Sequence, residues 1–509
     1  MGTGIATNTH NGPDTVPHLL LERVRRSPDT EAYTYPEGDG WHPVTWSDVY
    51  AAVVPLAAGL IARGVSPGTR VAMCAATSYR AIFADLAIAC TGAVTVPIYP
   101  ATRDDEARTQ IHRAGAALTF ADRPVLSSPV QRLDRLDALA AEGRALLASD
   151  PEAVSRRIAG LTADDPAWLI YTACDDGRTK GACLTHRAAT YGAVAVAQTG
   201  IVSPADRQLL WLPLAHVFGR ALLLMGIQVG FPTAVDGRAD RVADNLRVTR
   251  PTFLGSVPHV LSKVCALDSE DLGGRLRFVI SGSARLSSDV IELFDRRGVP
   301  VLECYGITET AGPACANLPG RRRVGTVGVP LPGTRIRIDA AGELLIRSPG
   351  VMTGYDHDPA ETAAALDSEY WFHTGDLARI DADGFVTVTG RKKEVFKTST
   401  GKYVCPAAIS ERCRAVLPGA ELVVDGELRP YCVGLVFTAL SDPAVDAALD
   451  RLNATLNRWE KVRRFAVIRT PLDTHDRDEA GRPIRDRVLA RYAAVVSGLY
   501  ERGQFRNSG

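Results

Sequence analysis

The sequence predicts an α/β protein with a large N-terminal domain of βαβ-built, mostly parallel sheets and a smaller, mobile α+β C-terminal domain. The chain has 509 residues, and single hydrophobic cores rarely exceed about 300 residues, so two or three units are expected. Up to about residue 323, short apolar segments alternate with helical patterns, which is typical of parallel sheets. Beyond that point, short alternating segments are separated by turns, which favours a small antiparallel unit.

The N-terminal domain is predicted over residues 17–390. Residues 1–16 are polar and lack both the basic and the apolar region of a signal peptide, so they predict a disordered tail. Apolar residues at helical spacing predict helices over 18–26 and 47–63. Residues 71–100 follow a strand, helix, strand pattern, the βαβ signature. Further strands are predicted at 209–214, 253–257, 278–281 and 301–304. Open sheets of this kind bind ligands at the carboxyl ends of their strands.

The last part of the chain predicts a different architecture. Residues 324–390 contain short alternating segments and the turn Asp383-Gly384, which indicate a small β-barrel-like subdomain. A charged break follows at residues 391–393, and we place a hinge there. Residues 391–509 are then expected to form a compact C-terminal lid.

Composition narrows the function classes. The chain has 58 Lys and Arg against 58 Asp and Glu, so no global field attracts nucleic acid or an anionic membrane. Its ten cysteines include no CxxC pair, which favours reduced thiols in a cytoplasmic protein. The most apolar stretch, residues 81–100, is interrupted by Asp85 and Gly92, so membrane insertion is not expected. A monomer and a homodimer both remain open.

One loop carries most of the chemical information. An apolar strand runs into residues 172–186, which include Thr172 and Lys180. Backbone N–H groups, hydroxyls and a cation neutralise phosphate oxygens, so a strand followed by such a loop predicts a phosphate site. Asp175 and Asp176 oppose this function, because their carboxylates repel phosphate.

Five motifs occur in the order and spacing of the adenylate-forming (ANL) superfamily of acyl-CoA ligases, and essentially the whole chain resembles that family. The motifs are the loop at 170–186, Pro213-Leu-Ala-His216, Tyr305-Gly-Ile-Thr-Glu309, Phe372-His-Thr-Gly-Asp376, and Gly390-Arg-Lys-Lys393 with Gly401-Lys-Tyr-Val-Cys-Pro406. Residues 392–404 are most similar to the long-chain acyl branch.

The resemblance implies a role for each matched residue. The acyl-adenylate site would comprise Thr172, Gly282, Ser283, Ala284, Tyr305, Gly306, Ile307, Thr308, Asp376 and Arg391. Catalytic roles would fall to His216, Thr308, Glu309, Gly401 and the hinge residue Lys393. The acyl pocket would include Trp211, Phe218 and Val257, and CoA would meet Lys397, Lys402, Arg458 and Lys461. Taken singly, each acyl-pocket residue fits a plain core role equally well.

Side-chain chemistry agrees with these roles. Tyr305 offers a flat face for a purine, and Thr308 offers a hydroxyl for an α-phosphate. Asp376 can accept two hydrogen bonds from a ribose diol, with Arg391 as its cationic partner. Glu309 is a hard oxygen ligand that suits Mg²⁺ if ATP is used. No other metal and no redox cofactor is predicted.

Two departures from the family pattern argue against ATP use. The family loop contains Ser-Gly-Thr-Thr-Gly, whereas this loop contains Ala173, Cys174, Asp175, Asp176 and Gly177 ahead of Lys180. Each carboxylate beside a phosphate oxygen would cost on the order of 3 kcal/mol. The family's adenylating lysine corresponds to Arg482, and no lysine follows Lys461. A planar guanidinium does not replace a compact ammonium in a tight site.

These departures lead to three hypotheses. The first is a ligase that transfers an acyl group from a preformed acyl-adenylate to CoA, giving acyl-CoA and AMP, with the ATP-dependent half-reaction lost. It resembles the non-adenylating acyl-CoA ligases of platensimycin-type diterpenoid antibiotic biosynthesis. That resemblance implies a bulky hydrophobic acid of secondary metabolism and a separate adenylating ligase as supplier. The second hypothesis is a complete ATP-dependent long-chain-type acyl-CoA synthetase. The third is an inactive protein that binds acyl-adenylate or CoA.

Overall fold

The computed structural model describes residues 14–38, 40–123, 130–173, 179–268, 270–392, 396–399, 403–478, 481–501 and 506–507. The chain divides into two compact units. The first comprises Met1–Arg337, Leu345–His373 and Ile380–Thr387, and the second comprises Ile338–Leu344, Thr374–Arg379 and Val388–Gly509. The second unit therefore contains the residues predicted as the lid, together with residues 338–344, 374–379 and 388–390 of the predicted β subdomain.

The helices are numbered in chain order. In the first unit they are α1 (Val16–Arg26), α2 (Trp46–Ala62), α3 (Tyr79–Cys90), α4 (Asp104–Ala114), α5 (Leu136–Ser149), α6 (Ala153–Ala159), α7 (His186–Gln198), α8 (Val217–Val229), α9 (Val242–Thr249), α10 (Pro258–Val264), α11 (Ser288–Arg296) and α12 (Pro359–Ala365). In the second unit they are α13 (Pro406–Val416), α14 (Asp442–Ala454), α15 (Arg485–Arg491) and α16 (Ala493–Tyr500).

The strands are numbered in the same way. Those up to residue 330 are β1 (Glu31–Glu37), β2 (Gly40–Thr45), β3 (Arg70–Cys74), β4 (Val94–Ile98), β5 (Leu118–Ala121), β6 (Val130–Arg132), β7 (Pro166–Ala173), β8 (Thr179–Thr185), β9 (Gln208–Leu210), β10 (Thr233–Val235), β11 (Phe253–Ser256), β12 (Phe278–Ser281), β13 (Val301–Ile307), β14 (Gly312–Ala316) and β15 (Val329–Pro330). The later strands are β16 (Arg335–Ile338), β17 (Glu343–Arg347), β18 (Gly354–Tyr355), β19 (Phe372–Ile380), β20 (Val386–Arg391), β21 (Phe396–Lys397), β22 (Tyr403–Val404), β23 (Glu421–Asp425), β24 (Cys432–Phe437), β25 (Val462–Ile468) and β26 (Arg506–Asn507).

Two large sheets form the first unit. One has nine strands in the order β15-β14-β13-β12-β11-β9-β10-β1-β2, and its neighbours from β13 through to β1 are parallel. The other has seven strands in the order β18-β8-β7-β4-β3-β5-β6, in which the pairs β3–β4, β3–β5, β4–β7 and β5–β6 are parallel. The predicted α/β class with mostly parallel sheets is confirmed.

Smaller sheets follow. Strands β16, β17, β19 and β20 form a four-stranded sheet within the region predicted as a β subdomain, and β21 pairs with β22. The second unit contains a sheet in the order β23-β24-β25-β26, in which antiparallel pairs flank one parallel pair. Together with α13 to α16, this sheet gives the predicted α+β character.

Local chemistry explains where several elements begin and end. Thr45 and Asp48 form a reciprocal capping box at the start of α2: the Asp48 N–H donates to Thr45 Oγ1 (3.2 Å), and the Thr45 N–H donates to Asp48 Oδ2 (2.8 Å). Strand β9 ends at Leu210, short of the predicted residue 214, and Pro213, which has no N–H to donate, could not have continued a central strand. Strand β13 is longer than predicted and extends to Ile307, so Tyr305 lies on a strand.

No helix in the described part of the chain is both long and apolar enough to cross a membrane. The nine cysteines that fall within the described ranges are free thiols, whereas Cys174 lies outside those ranges.

His186 at the start of α7 gives the fold a pH dependence. Its ring is fully buried, its Nδ1 accepts the Val16 N–H at 3.3 Å, and burial lowers its pKa to about 4. In the unfolded chain this imidazole takes up a proton near pH 6.5. The contribution of the neutral His186 to stability is therefore fully present above that pH and is lost as the pH falls towards 4. We expect the contribution of His186 to the free energy of unfolding to decrease by about 2 kcal/mol between pH 7.5 and 5.

Urea denaturation across this range measures how the free energy of unfolding depends on pH. The variant His186→Gln should flatten this dependence, whereas a substitution of the exposed His42 should not. An unchanged slope in His186→Gln would contradict this account.

Candidate functional site

The hairpin of β7 and β8 holds the phosphate-type loop. Thr172 and Lys180 are cross-strand partners in its antiparallel ladder, so their side chains lie on the same face. The backbone of Ala173 ends β7, but its side chain and residues 174–178 lie outside the described residues. Cys174, Asp175, Asp176 and Gly177 belong to that segment. The interpretation of Asp175 and Asp176 as phosphate-repelling groups therefore stays a prediction from the sequence.

Lys180 is engaged by groups from the region of α12 and β18. Its ammonium forms an ion pair with the carboxylate of Glu361, and it lies 5.0 Å from the centre of the Tyr355 ring. The Lys180 side chain is 16% exposed and that of Glu361 is 37% exposed, so water reaches the pair only in part. The loop cation thus already has a carboxylate and an aromatic face as partners.

Tyr355 also connects this cation to Glu309. The Tyr355 hydroxyl donates to Glu309 Oε1 at 2.8 Å, and Glu309 is buried in a 3₁₀ turn, Thr308–Thr310, that follows β13. The turn is fixed by Thr310, whose Oγ1 accepts the Ile307 N–H at 3.0 Å. Lys180, Tyr355 and Glu309 therefore form one continuous cluster, which we call the phosphate cluster.

The donor set of this cluster bears on metal binding. No group of three or more His, Cys, Asp or Glu side chains that could hold a metal ion lies within the ranges that the structure describes. Mg²⁺ is commonly bound through one or two carboxylates, with the remaining ligands supplied by substrate phosphates and water. Glu309 fits that pattern as a single protein ligand beside a nucleotide.

Two glycines lie near Tyr305: Gly306 follows it in the chain, and Gly282 follows the neighbouring strand β12. A Cβ added to Gly306 would lie 1.9 Å from the carbonyl oxygen of Gly312, and one added to Gly282 would lie 3.1 Å from Cys304 Sγ. Ser283 has a left-handed backbone with φ of 69°, a conformation that is uncommon for residues other than glycine. The Gly282-Ser283-Ala284 segment thus leaves β12 by a sharp turn, beside the strand that carries the half-buried Tyr305.

An apolar cavity lies behind these residues. It is partly open to solvent and lies between α7, α8 and the strands β12, β13 and β14. Its lining comprises Gly192, Val196, Thr199, Ile201, Phe218, Ala221, Leu222, Met225, Ile280, Leu302, Cys304, Pro313, Ala316, Asn317, Leu318 and Leu331. Small-molecule sites usually have mainly apolar walls, as this cavity has.

Of the three residues predicted for an acyl pocket, one lines this cavity. Phe218 lines it, whereas Trp211 and Val257 are not among the lining residues. Trp211 is buried and donates its indole N–H to the Gly255 carbonyl oxygen at 3.1 Å, which is a core role. The sequence analysis missed Leu222 and Met225, although their spacing from Phe218, four and seven residues, was a readable helical signal.

His216 lies at the entrance to α8. It immediately precedes the helix, is exposed, and its ring centre lies 5.2 Å from that of Tyr99. Since Phe218 is two residues further on, the exposed imidazole lies on the same turn of chain as the cavity lining. This position suits a residue at the mouth of an acyl pocket.

The second unit holds a separate group of predicted residues. Asp376 is buried, lies 3.3 Å from Arg391 Nε, and donates its backbone N–H to Thr374 Oγ1 at 3.0 Å. Next to this pair, Lys392 Nζ lies 2.6 Å from Glu343 Oε2, and the hydrogen bond to Glu343 raises the pKa of Lys392. The predicted Asp376–Arg391 partnership is therefore present, and Glu343 is a residue that the sequence analysis did not identify.

The remaining predicted residues are in the C-terminal part. The Arg482 guanidinium donates from Nε to Asp478 Oδ2 at 2.7 Å, and its side chain is 60% exposed. Arg458 is exposed and Lys461 is half-buried. Lys393, Gly401 and Lys402 lie outside the described residues, as does the side chain of Lys397.

Comparisons with known proteins agree with this architecture. The family described as AMP-binding enzyme matches residues 20–356. The Long-chain-fatty-acid--CoA ligase FadD15 of Mycobacterium bovis is 29% identical, over 96% of this chain and 97% of its own length. The 3-[(3aS,4S,7aS)-7a-methyl-1,5-dioxo-octahydro-1H-inden-4-yl]propanoyl:CoA ligase of Mycobacterium tuberculosis is 31% identical, over 78% of this chain and 83% of its own length. The structure of O-succinylbenzoate Coenzyme A Synthetase (MenE) of Bacillus subtilis in complex with AMP matches with a TM-score of 0.76 at 20% identity, over 92% of this chain and 97% of that one, which shows a shared fold.

Proposed function

Because the chain belongs to the AMP-binding enzyme family, we propose that it is an ATP-dependent acyl-CoA ligase for a hydrophobic carboxylic acid. One observation carries the proposal: the phosphate cluster and the apolar cavity both adjoin the end of β13, where Glu309 and Cys304 are five residues apart. A triphosphate and an apolar acyl group can thus be held on either side of one strand end. Relatives whose names describe fatty-acid and indanyl-propanoyl CoA ligases support the same chemistry.

The reaction has two balanced steps. In the first, a carboxylate oxygen of the acid attacks the α-phosphorus of ATP, and pyrophosphate leaves. In the second, the thiol of CoA loses its proton and attacks the acyl carbonyl carbon, and AMP leaves. Holding the reacting atoms in line supplies most of the benefit in both steps.

The residues of the first unit fit the first step. Lys180 would hold phosphate oxygens, and Thr308 would donate its hydroxyl to the α-phosphate. Glu309 would hold Mg²⁺, which when bound neutralises phosphate charge. Tyr305 would stack on the adenine. Gly282, Ser283 and Ala284 would border its edge.

The remaining predicted residues fit the binding of the ribose, the acyl group and CoA. Asp376 and Arg391 would bind the ribose, His216 would border the acyl pocket, and Gly401 would border the path of the thiol. Lys397, Lys402, Arg458 and Lys461 would meet the phosphates of CoA. Lys393 would act as the hinge. A cytoplasmic location stays a prediction from the sequence.

A second candidate function is thioester formation from a supplied acyl-adenylate alone. It is favoured by Arg482, which stands where the family has a lysine and is bonded to Asp478. It would require a separate adenylating ligase, and its acid would be the bulky hydrophobic acid of secondary metabolism suggested by the sequence. An inactive acyl-adenylate-binding protein is the third possibility.

One experiment separates the three. The purified chain is given a panel of acids with ATP, Mg²⁺ and CoA, and in parallel the corresponding synthetic acyl-adenylates with CoA. The proposal predicts acyl-CoA, AMP and pyrophosphate from the first mixture. Product from the acyl-adenylates alone would reject it in favour of thioesterification only, and product from neither would indicate an inactive binding protein.

Glu361→Gln tests the role of the ion pair at Lys180. The carboxylate of Glu361 competes with phosphate oxygens for the ammonium, and partly exposed ion pairs are worth up to about 1 kcal/mol. We therefore expect a KM for ATP about two- to fivefold lower, with the KM for CoA unchanged. Glu369→Gln, on an exposed side chain that lies 3.8 Å from Arg337, is the matched control. A higher KM for ATP in Glu361→Gln would show that Glu361 assists nucleotide binding instead.

A further inference from the structure

Glu343 is a buried carboxylate to which the proposed reaction gives no role. It is the first residue of β17, its side chain is 4% exposed, and it belongs to the same unit as Asp376 and Arg391. Its Oε1 accepts the Gly375 N–H at 2.8 Å, and its Oε2 accepts a hydrogen bond from Lys392 Nζ at 2.6 Å. Burying a charge is costly unless the charge is paired and hydrogen-bonded, and these two contacts meet that requirement.

The partner of Glu343 Oε1 is the middle residue of a tight turn. Gly375 has φ of 73°, a left-handed conformation that glycine adopts without the steric cost that a side chain brings. A Cβ added to Gly375 would have no other atom within 4 Å, so the backbone conformation, and not a lack of space, favours glycine here. The hydrogen bond to Glu343 therefore restrains a residue whose backbone is intrinsically free to adopt several conformations.

Strand β17 holds this turn at a second point. The Thr374 hydroxyl donates to the Leu344 carbonyl oxygen at 2.7 Å, and the Asp376 N–H donates to Thr374 Oγ1 at 3.0 Å. Leu344 directly follows Glu343 in the chain. Two consecutive residues of β17 thus fix the turn that carries the Asp376 carboxylate.

Two cations from the end of β20 complete the arrangement. Arg391 Nε lies 3.3 Å from Asp376 Oδ1, and the Asp376 side chain is 8% exposed. Lys392, the next residue, pairs with Glu343. The two neighbouring cations are therefore held in separate ion pairs, so that each of the two buried carboxylates has its own counter-charge.

On the basis of the proposed function, in which Asp376 binds the ribose, we infer that Glu343 is a positioning residue for nucleotide recognition. It acts through the Gly375 hydrogen bond, which holds the turn so that both oxygens of Asp376 face the two ribose hydroxyls. A rotation of the backbone at Gly375 would turn the carboxylate away from that diol, because Asp376 is the next residue. Binding groups need such supporting contacts to keep their geometry. Glu343 thereby determines how strongly the site distinguishes a ribonucleotide from a nucleotide without the two hydroxyls.

The test compares the binding of AMP with that of 2′,3′-dideoxy-AMP, measured by calorimetry on the full-length protein. In the unaltered protein we expect AMP to bind about tenfold more tightly or better, because hydrogen bonds to a charged acceptor are strong. Glu343→Ala should weaken AMP binding about five- to tenfold and leave dideoxy-AMP binding within about twofold, since only AMP uses the Asp376 hydrogen bonds. The preference for AMP should then fall to about twofold.

Glu343→Gln separates the hydrogen bond from the charge. Its amide oxygen can still accept the Gly375 N–H, and the Lys392 side chain, which is 49% exposed, can turn towards water. We therefore expect this variant to keep about half of the preference for AMP or more. A loss as large as that in Glu343→Ala would overturn the role of the Gly375 hydrogen bond.

Glu421→Ala is the matched control. Glu421 is a partly buried glutamate of the same unit, paired with Arg477, and it lies on β23 in a different sheet. This variant should keep the preference for AMP even if its unfolding midpoint falls. A preference that persists in Glu343→Ala, or that falls equally in Glu421→Ala, would overturn the inference and leave ribose binding by Asp376 standing. An unaltered protein that binds neither nucleotide, or both equally, would reject ribose binding by Asp376 itself and the inference with it.

Discussion

Replacing Glu309 by glutamine is expected to lower the rate of ATP-dependent acyl-adenylate formation by about 100-fold or more, because a neutral amide oxygen is a weaker ligand for a divalent cation than a carboxylate. Glutamine has the same shape, and its amide oxygen can still accept the Tyr355 hydroxyl bond that measures 2.8 Å to Glu309 Oε1. The change therefore removes charge and keeps geometry. Thioester formation from a supplied acyl-adenylate involves no pyrophosphate, and we expect it to fall by less than tenfold.

The two half-reactions are measured separately, by exchange of pyrophosphate into ATP and by acyl-CoA formation from synthetic acyl-adenylate. Tyr355→Phe serves as the control, because it removes the hydrogen bond to Glu309 and keeps the carboxylate. Its loss in the exchange assay should be smaller, about tenfold at most. Equal losses in both half-reactions for Glu309→Gln would show that Glu309 acts on structure, and no loss in exchange would remove it from the site.

Replacing Arg220 by methionine is expected to lower the free energy of unfolding by about 3–5 kcal/mol, because it leaves a carboxylate buried without its counter-charge. Arg220 Nη1 lies 2.8 Å from Asp85 Oδ2, with side-chain exposures of 1% and 8%. The Thr95 hydroxyl donates to the same carboxylate at 2.8 Å, and the guanidinium lies 4.8 Å from the centre of the Trp168 ring. One side chain thus joins α3, α8, β4 and β7.

The energy is measured by urea denaturation at neutral pH. The double variant Asp85→Leu with Arg220→Met removes both charges, and it should recover most of the lost stability, since a buried pair can be replaced by apolar residues at little net cost. Arg25→Met removes an arginine from an exposed pair with Glu22 and should leave the unfolding midpoint unchanged. A double variant no more stable than Arg220→Met would place the effect in packing against Trp168 instead.

Several parts of the fold follow from the sequence because their signals are local. The βαβ pattern of residues 71–100 became β3, α3 and β4, since alternation of strand and helix leaves few ways to bury both faces of a sheet. Likewise the helix predicted over 47–63 became α2, whose start is set by a capping box of only four residues, from Thr45 to Asp48. Strand β9 was predicted too long, because a run of apolar residues does not by itself show where a proline ends the pairing.

Asp85 is a residue whose role local sequence patterns do not predict. From the sequence it was an interruption in an apolar stretch, and that was enough to exclude a membrane span. In the fold it is the buried partner of Arg220, 135 positions away. No periodicity links two residues so far apart, because their contact depends on how α3 and α8 pack on two different sheets.

The residues in and around the phosphate cluster fall into the same two groups. The sequence by itself identified Lys180, Thr308 and Glu309, since each belongs to a short motif whose residue types fit phosphate and metal chemistry. Only the fold supplied Tyr355, and only the fold supplied Glu361, which lies 181 positions from Lys180. Motifs determine which groups a chain carries, but the partner of a charge and the lining of a cavity are set by packing between distant segments.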